Sequence, residues 1–157
     1  MSLNILFLNG PNLNLLGQRE QSQYGSITYE ELKKKCEEKS KELDLKVEFI
    51  QSNVEGEMVS IIQSANEKFD GIIINAAAFT HTSVAIRDAL EIYKKKKIEV
   101  HISNIYKREE FRQKSLISDV VNGGIFGLGG EGYILAIIAM HKLLKNENEQ
   151  KINKRAG

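Results

Sequence analysis

Gly71-Ile72-Ile73-Ile74-Asn75 is the stretch from which the fold can be read. A strand wetted on one face alternates apolar and polar residues. An unbroken apolar run bounded by turn residues instead marks a strand covered on both faces, as in a parallel sheet with helices on either side. The run stops at Asn75, and Ile86, Ala89, Leu90 and Tyr93 then share one side of a helix. Lys94 to Lys97 follow at that helix's carboxyl end, where positive charge complements the dipole, and they read as a solvated helix end and not as a nucleic-acid patch.

The same alternation extends in both directions. Leu3 to Leu8 is an apolar run closed by the turn signal Asn9-Gly10-Pro11. Asn12 to Ser26 has no steady period and reads as a long polar loop punctuated by Gly17 and Gly25. Thr28 with Glu31 three residues later forms a capping box, ahead of a helical stripe of Tyr29, Leu32, Cys36 and Leu43. Leu45 to Ile50 predicts a second strand, and Met58, Ile61, Ile62 and Ala65 a second helix. Ile98 to Ser103 predicts a fourth strand, Val120 to Phe126 a weaker fifth, and Ile134 to Leu144 a strongly apolar last helix with His141 on its apolar phase. Five strands alternating with helices imply right-handed crossovers and an open parallel sheet. The expected fold is α/β, flavodoxin-like and doubly wound, with strand order 2-1-3-4-5 and helices on both faces. One domain spans residues 1–145, and 146–157 is a polar, frayed tail.

Composition removes several functional classes. The chain has 157 residues, 22 Lys+Arg against 21 Asp+Glu and a formal net charge of +1, which gives no general attraction to nucleic acid. The single Cys36 forms no internal disulfide and reads as a buried small hydrophobe, and no cysteine cluster is available for zinc. No apolar run reaches the roughly 20 residues of a membrane span. Met1-Ser2-Leu3-Asn4 is not the opening of a signal peptide, so a cytoplasmic location is expected, with no membrane partner.

In a doubly wound sheet, ligands bind beyond the carboxyl ends of the strands. Strand one is followed by Asn9, Asn12, Asn14, Arg19 and Tyr24, and strand two by Gln51, Ser52, Asn53 and Glu55. Strand three delivers Asn75, then Thr80, His81, Thr82 and Ser83; strand four carries Glu99, His101 and Ser103, followed by Arg108 and Arg112. Each has a plain structural reading when taken singly. Tyr24 can be a packing anchor, Arg19 a surface ion pair and His101 a satisfied core histidine; His141 is given that core role. Gly127, Gly129 and Gly132 match G-x-G-x-x-G literally, but that fingerprint belongs after a first strand. Here it follows the last one, so tight packing of strand on helix is the expectation. No metal motif is present.

Taken together, the segments resemble one family. Asn9-Gly10-Pro11-Asn12-Leu13-Asn14-Leu15-Leu16-Gly17, continuing through Arg19-Glu20 to Tyr24-Gly25, resembles the opening signature of type II 3-dehydroquinate dehydratases. The resemblance continues in Gln51-Ser52-Asn53, in Thr80-His81-Thr82-Ser83 running on to Asp88-Ala89-Leu90, in Glu99-Val100-His101-Ile102-Ser103-Asn104 with Arg108, Arg112 and Ser115, and in Gly123 to Tyr133. Two departures stand out: Gln21 replaces the family's usual Pro after Arg-Glu, and Ala76-Ala77-Ala78-Phe79 replaces Pro-Ala-Ala-Tyr.

The resemblance implies a single catalytic domain that dehydrates 3-dehydroquinate to 3-dehydroshikimate through an enolate, in the shikimate pathway. It implies no cofactor, no metal and no lysine Schiff base. By resemblance Tyr24 is the base, Arg19 its activating neighbour, His101 the general acid, Glu99 its carboxylate support and Asn12 the residue that positions a water at the enolate. A free tyrosine has a pKa near ~10, and an adjacent cation favours the phenolate. A free histidine, near ~6.5, needs a carboxylate to stay protonated at neutral pH. Asn75, His81 and Arg112 match positions that bind ring hydroxyls, and Ile102 and Ser103 the positions that hold the substrate carboxylate. Asp88 matches a carboxylate reaching a neighbouring active site, in a homo-dodecamer built from trimers. Two rivals are a flavodoxin-like cofactor- or nucleotide-binding module using the glycine loop, and a non-catalytic relative. The second predicts loss of Arg19, Tyr24 or His101, and all three are present.

Overall fold

Ile72, Ile73 and Ile74 are buried on both faces, as their unbroken apolar run requires. In the computed structural model, which describes residues 2–157, they lie in β3 (Gly71–Asn75), the middle strand of a parallel sheet of order β2-β1-β3-β4-β5. The other strands are β1 (Leu3–Asn9), β2 (Leu45–Gln51), β4 (Lys96–His101) and β5 (Gly123–Phe126). The helices are α1 (Gln21–Tyr24), α2 (Tyr29–Glu42), α3 (Glu55–Lys68), α4 (Val84–Ile92) and α5 (Glu131–Ala156). This is the flavodoxin-like fold that the alternation predicts.

Successive strand residues point to opposite faces, and the core divides accordingly. Ile5, Phe7, Ile73, Ile98 and Val100 pack with Cys36 of α2 and with Tyr133, Ile137 and Met140 of α5. Leu6, Leu8, Ile72 and Ile74 pack on the opposite side with Met58 and Ile62 of α3 and Ile86 and Leu90 of α4. Each fully buried side chain of this size contributes about 1.5–3 kcal/mol, so a register slip that swapped the two faces would be prohibitive. On β4 the same alternation turns Lys97, Glu99 and His101 away from the α5 side, and all three are buried. Cys36 is fully buried; burial, aided by Glu37, pushes its thiol up to about 12 and leaves it unreactive.

Local signals operate as expected at several ends. The Thr28 hydroxyl accepts the Glu31 amide at 3.1 Å, and the Glu31 carboxylate accepts the Thr28 amide at 3.2 Å. Gly10 sits so close to the chain after β3 that a Cβ there would lie 2.4 Å from the Ala76 carbonyl oxygen.

Four boundaries differ from the reading. The long loop is partly ordered: Leu13 and Leu16 are buried, and α1 forms within it. The lysine run ends the helix in solvent only at Lys94 and Lys95, which are exposed just after α4. Lys96 and Lys97 belong to β4, and the buried Lys97 ammonium donates to the carbonyls of Leu90 and Tyr93 at 2.7 and 2.6 Å, which still serves the carboxyl end of α4. β5 begins at Gly123, because Ser118–Val120 folds into a single tight turn first. Finally, residues 146–156 prolong α5, which meets no Gly or Pro between Gly132 in its first turn and Gly157 and carries a Glu147–Lys151 pair at 2.8 Å.

Candidate active site

In-register pairing sets Asn9 of β1 beside Gln51 of β2 and Asn75 of β3, so three strands end level. A cleft opens beyond them, at the sheet edge where a doubly wound fold binds its ligands. Its walls include Asn12, Arg19, Tyr24, Asn75, His81, His101, Ile102, Ser103, Arg108 and Arg112. The structure therefore gathers nine of the eleven residues singled out in the sequence. Glu99 stands behind His101, and Asp88 is exposed on α4 and does not line the cleft.

Tyr24 ends α1 and reaches over the cleft. Its hydroxyl accepts a hydrogen bond from Arg108 Nη1 at 2.6 Å and a longer one from Arg19 Nη2 at 3.4 Å. Both guanidiniums also lie over its ring, at 4.2 Å for Arg19 and 5.2 Å for Arg108. Two cations therefore share the place beside one phenolic oxygen. Sequence reasoning gave this role to Arg19 alone. Arg108 stood among the polar residues after strand four, but it is 84 residues from Tyr24 and no spacing rule links them.

Across the cleft, His101 Nε2 lies 2.6 Å from Glu99 Oε2, and both side chains are almost wholly buried. With Glu99 ionised, Nε2 carries the proton of that bond, and Nδ1 is the nitrogen left for a ligand. Burial alone would raise the Glu99 carboxyl, but the hydrogen bond and charge of His101, with the hydroxyls of Ser118 and Ser115, outweigh it and hold the carboxyl below its ordinary range. His81 Nδ1 is 2.8 Å from the Lys114 carbonyl oxygen. Its imidazole is held below the usual value chiefly by burial, against the Lys114 carbonyl; the charges of His101 and Arg112 add to the lowering and Glu99 opposes it.

The floor is fixed by a buried chain of bonds. Asn75 Nδ2 donates to the Tyr133 hydroxyl at 3.0 Å, and that hydroxyl donates to Asn9 Oδ1 at 2.6 Å. The Ala77 amide holds Asn75 Oδ1 at 3.1 Å, so the Asn75 amide group cannot flip. Asn12 takes a left-handed backbone with φ 68°, and its amide is held by Asn53 Oδ1 at 3.0 Å. Arg112 is braced by Glu109 at 3.0 Å. Gly127 and Gly129, both at positive φ, donate their amides to the carbonyls of His101 and Ile102 at 3.2 and 3.0 Å. The glycine cluster thus folds back against the end of β4, and of its three glycines Gly132, on α5, is the one that faces the strands, where a Cβ would lie 3.5 Å from Val100 and Ile125.

Comparison with known proteins identifies the family. The family model described as "Dehydroquinase class II" matches residues 3–141. The chain belongs to the class II dehydroquinase family. It is similar to the 3-dehydroquinate dehydratase of Endomicrobium trichonymphae, at 54% identity over 89% of this chain and 98% of the relative. It is likewise similar to that of Thermotoga neapolitana, at 50% identity over 90% of this chain and 96% of the relative. The crystal structure of type II dehydroquinase from Butyrivibrio crossotus superposes with a TM-score of 0.87 at 50% identity, covering 88% of this chain and 97% of that one. Within a class II dehydroquinase frame, the two departures in sequence have defined places. Gln21 is the first residue of α1, Ala76 is fully buried just after β3, and Phe79 packs against the core between the sheet and helices α3 and α4.

Proposed function

We propose that this protein dehydrates 3-dehydroquinate to 3-dehydroshikimate by acid–base chemistry without metal or imine. Tyr24, as phenolate, takes the proton beside the ketone, and the electron pair of that C–H bond passes into the enolate. Asn12 positions a water at the enolate oxygen. The enolate then re-forms the ketone as the C–O bond to the leaving hydroxyl breaks, and His101 delivers the proton that makes the departing group water. The observation that carries this reading is the pairing across one cleft of Tyr24, bonded by two guanidiniums, with His101, backed by a buried carboxylate. Base and acid are thereby supplied on opposite walls.

Asn75, His81 and Arg112 bind the ring hydroxyls, and the turn at Ile102 and Ser103 holds the carboxylate. Asp88, exposed on α4, serves a neighbouring active site in a dodecamer of trimers, and the reaction belongs to aromatic biosynthesis in the cytoplasm. No helix among the described residues is long and apolar enough to cross a membrane. The rival cofactor-binding reading needs the glycine amides free for phosphate, whereas those of Gly127 and Gly129 are bonded to the carbonyls of His101 and Ile102.

Mixing the purified protein with 3-dehydroquinate and a chelator tests the reaction, because the conjugated product absorbs in the ultraviolet where the substrate does not. Absorbance is expected to rise, and borohydride treatment with substrate present is expected not to inactivate. In Tyr24→Phe, kcat is expected to fall by about 10²–10⁴ with substrate binding retained. A flat trace from folded wild-type protein would overturn the function, and near-normal turnover in Tyr24→Phe would overturn the base.

A further inference from the structure

Polar contacts with no role so far gather on Glu99. A carboxylate buried as deeply as this one is costly unless hydrogen-bonded and paired. Besides His101, two hydroxyls reach it: Ser115 Oγ lies 2.9 Å from Oε2, and Ser118 Oγ lies 2.5 Å from Oε1. The Ser115 hydroxyl is also committed on its other side, for it accepts the amides of Ile117 at 3.2 Å and Ser118 at 3.1 Å. A hydroxyl has two acceptor sites and one proton, so the proton of Ser115 is left for Glu99. A donor fixed in this way favours the ionised carboxyl over the protonated one.

The segment bearing both serines is itself anchored. The Leu116 amide donates to the Thr80 carbonyl at 2.8 Å, and Arg87 donates to the Leu116 carbonyl at 2.8 Å while pairing through both guanidinium nitrogens with Asp119. Ile117, between the serines, is fully buried. Neither serine lines the cleft.

We propose that Ser115 and Ser118 are positioning residues for the acid step, holding Glu99 as a carboxylate turned toward His101 Nε2 so that Nδ1 meets the leaving hydroxyl. This rests on the proposed dehydration with His101 as its acid. The other charged and titratable groups around the pair are few. His81 faces His101 with ring centroids 6.5 Å apart, and Arg112 lies in the same wall. Tyr106 lies on the far side of Glu99, the Lys97 ammonium is committed to α4 carbonyls, and β5 supplies no titratable side chain.

The test is a pH titration of ligand-free protein carrying ¹³C-labelled glutamate. It reads the infrared carbonyl band of protonated Glu99, assigned by its loss in Glu99→Gln. In Ser115→Ala and Ser118→Ala the band is expected to appear about one pH unit higher than in wild type, and in Ser118→Thr at the wild-type pH. The acidic limb of kcat moves the same way, kcat falls about tenfold near neutrality, and KM is unchanged. If Ser115→Ala fails to fold because two amides lose their acceptor, Ser118→Ala carries the test. An unmoved band, or a uniformly lowered kcat with an unmoved limb, would overturn the positioning role. The infrared reading needs no substrate, so an inert wild-type protein would overturn the dehydration and leave the role of the serines to be decided separately.

Discussion

Tyr24 distinguishes its two cations by geometry. The Arg108 bond is short and comes from a side chain 8% exposed, whereas the Arg19 bond is long and comes from the loop that bears Tyr24 itself. A hydrogen bond to a charged group contributes about 1.5–3 kcal/mol, which corresponds to about 10- to 100-fold in rate. Arg108→Ala is therefore expected to lower kcat toward the upper end of that range and Arg19→Ala toward the lower. Steady-state kinetics check the order, and a larger loss in Arg19→Ala would reverse it. The buried pair on the opposite wall makes a separate prediction about stability. Glu99 is lowered in the folded state, so the unfolded chain takes up its proton first on acidification. The stability Glu99 contributes is present above the ordinary glutamate range and is lost as pH falls through it. His81 is also lowered, and as pH drops below about 6.5 the unfolded chain again binds the proton first. Urea midpoints are thus expected to fall in two stages from pH 7 to pH 3. His81→Asn should flatten the first stage and Glu99→Gln the second; a wild-type midpoint constant to pH 4 would contradict both signs.

The segment from Arg19 to Gly25 shows what one substitution in a short element can do. Proline suits the first position of a helix, where its missing amide is not needed and its fixed φ is already helical. Gln21 occupies that position in α1, and Glu20 before it has ψ 86°, outside the helical region that a following proline disfavours. Gln21→Pro gives up one exposed bond from Gln21 Nε2 to the Gly17 carbonyl at 3.3 Å. It also lowers the entropy of the open loop, for about 0.4–1 kcal/mol in favour of the ordered form. The expected result is slower proteolytic cleavage between Arg19 and Gly25 and a modestly lower KM; faster cleavage would mean the loop cannot accept the ring. How far each element was legible in sequence follows from the range of the signals. β3, the Thr28 cap and the alternating faces depend on neighbours in the chain, and the reading places them correctly. Lys97 could not be placed this way, because its hydrophilicity argues for solvent while its bonds to two α4 carbonyls exist only once β4 has docked. The Ser115–Glu99 and Arg108–Tyr24 contacts join segments 16 and 84 residues apart, and neither a period nor a motif encodes a partner at that distance. Family resemblance located most of the cleft residues, whereas their physical supports became visible only in the fold.

Taken whole, the molecule places its chemistry at one end of the sheet and its least constrained chain at the other. Helix α5 starts beside the cleft, where Tyr133 stacks on Phe7 with ring centroids 5.5 Å apart and bonds the asparagines of the floor. It then crosses the sheet through Ala136, Ile137 and Met140, and Leu144 is its last buried residue. Beyond that point the chain is helical but largely exposed, and the family match stops at residue 141. Deleting residues 146–157 therefore uncovers no core. It removes the exposed Glu147–Lys151 pair at 2.8 Å, and a pair of that kind contributes about 0.3–0.5 kcal/mol. In a domain of this size 1 kcal/mol moves Tm by about 2–4 °C, so the shortened chain is expected to melt within about 2 °C of the full one. Its kcat on 3-dehydroquinate should also be unchanged. Calorimetry on both chains decides the matter. A drop several times larger would show that the exposed turns, including Ile152 with 64% of its surface open, are covered in solution by another copy of the chain, which sedimentation of the two forms would then reveal as a difference in assembly.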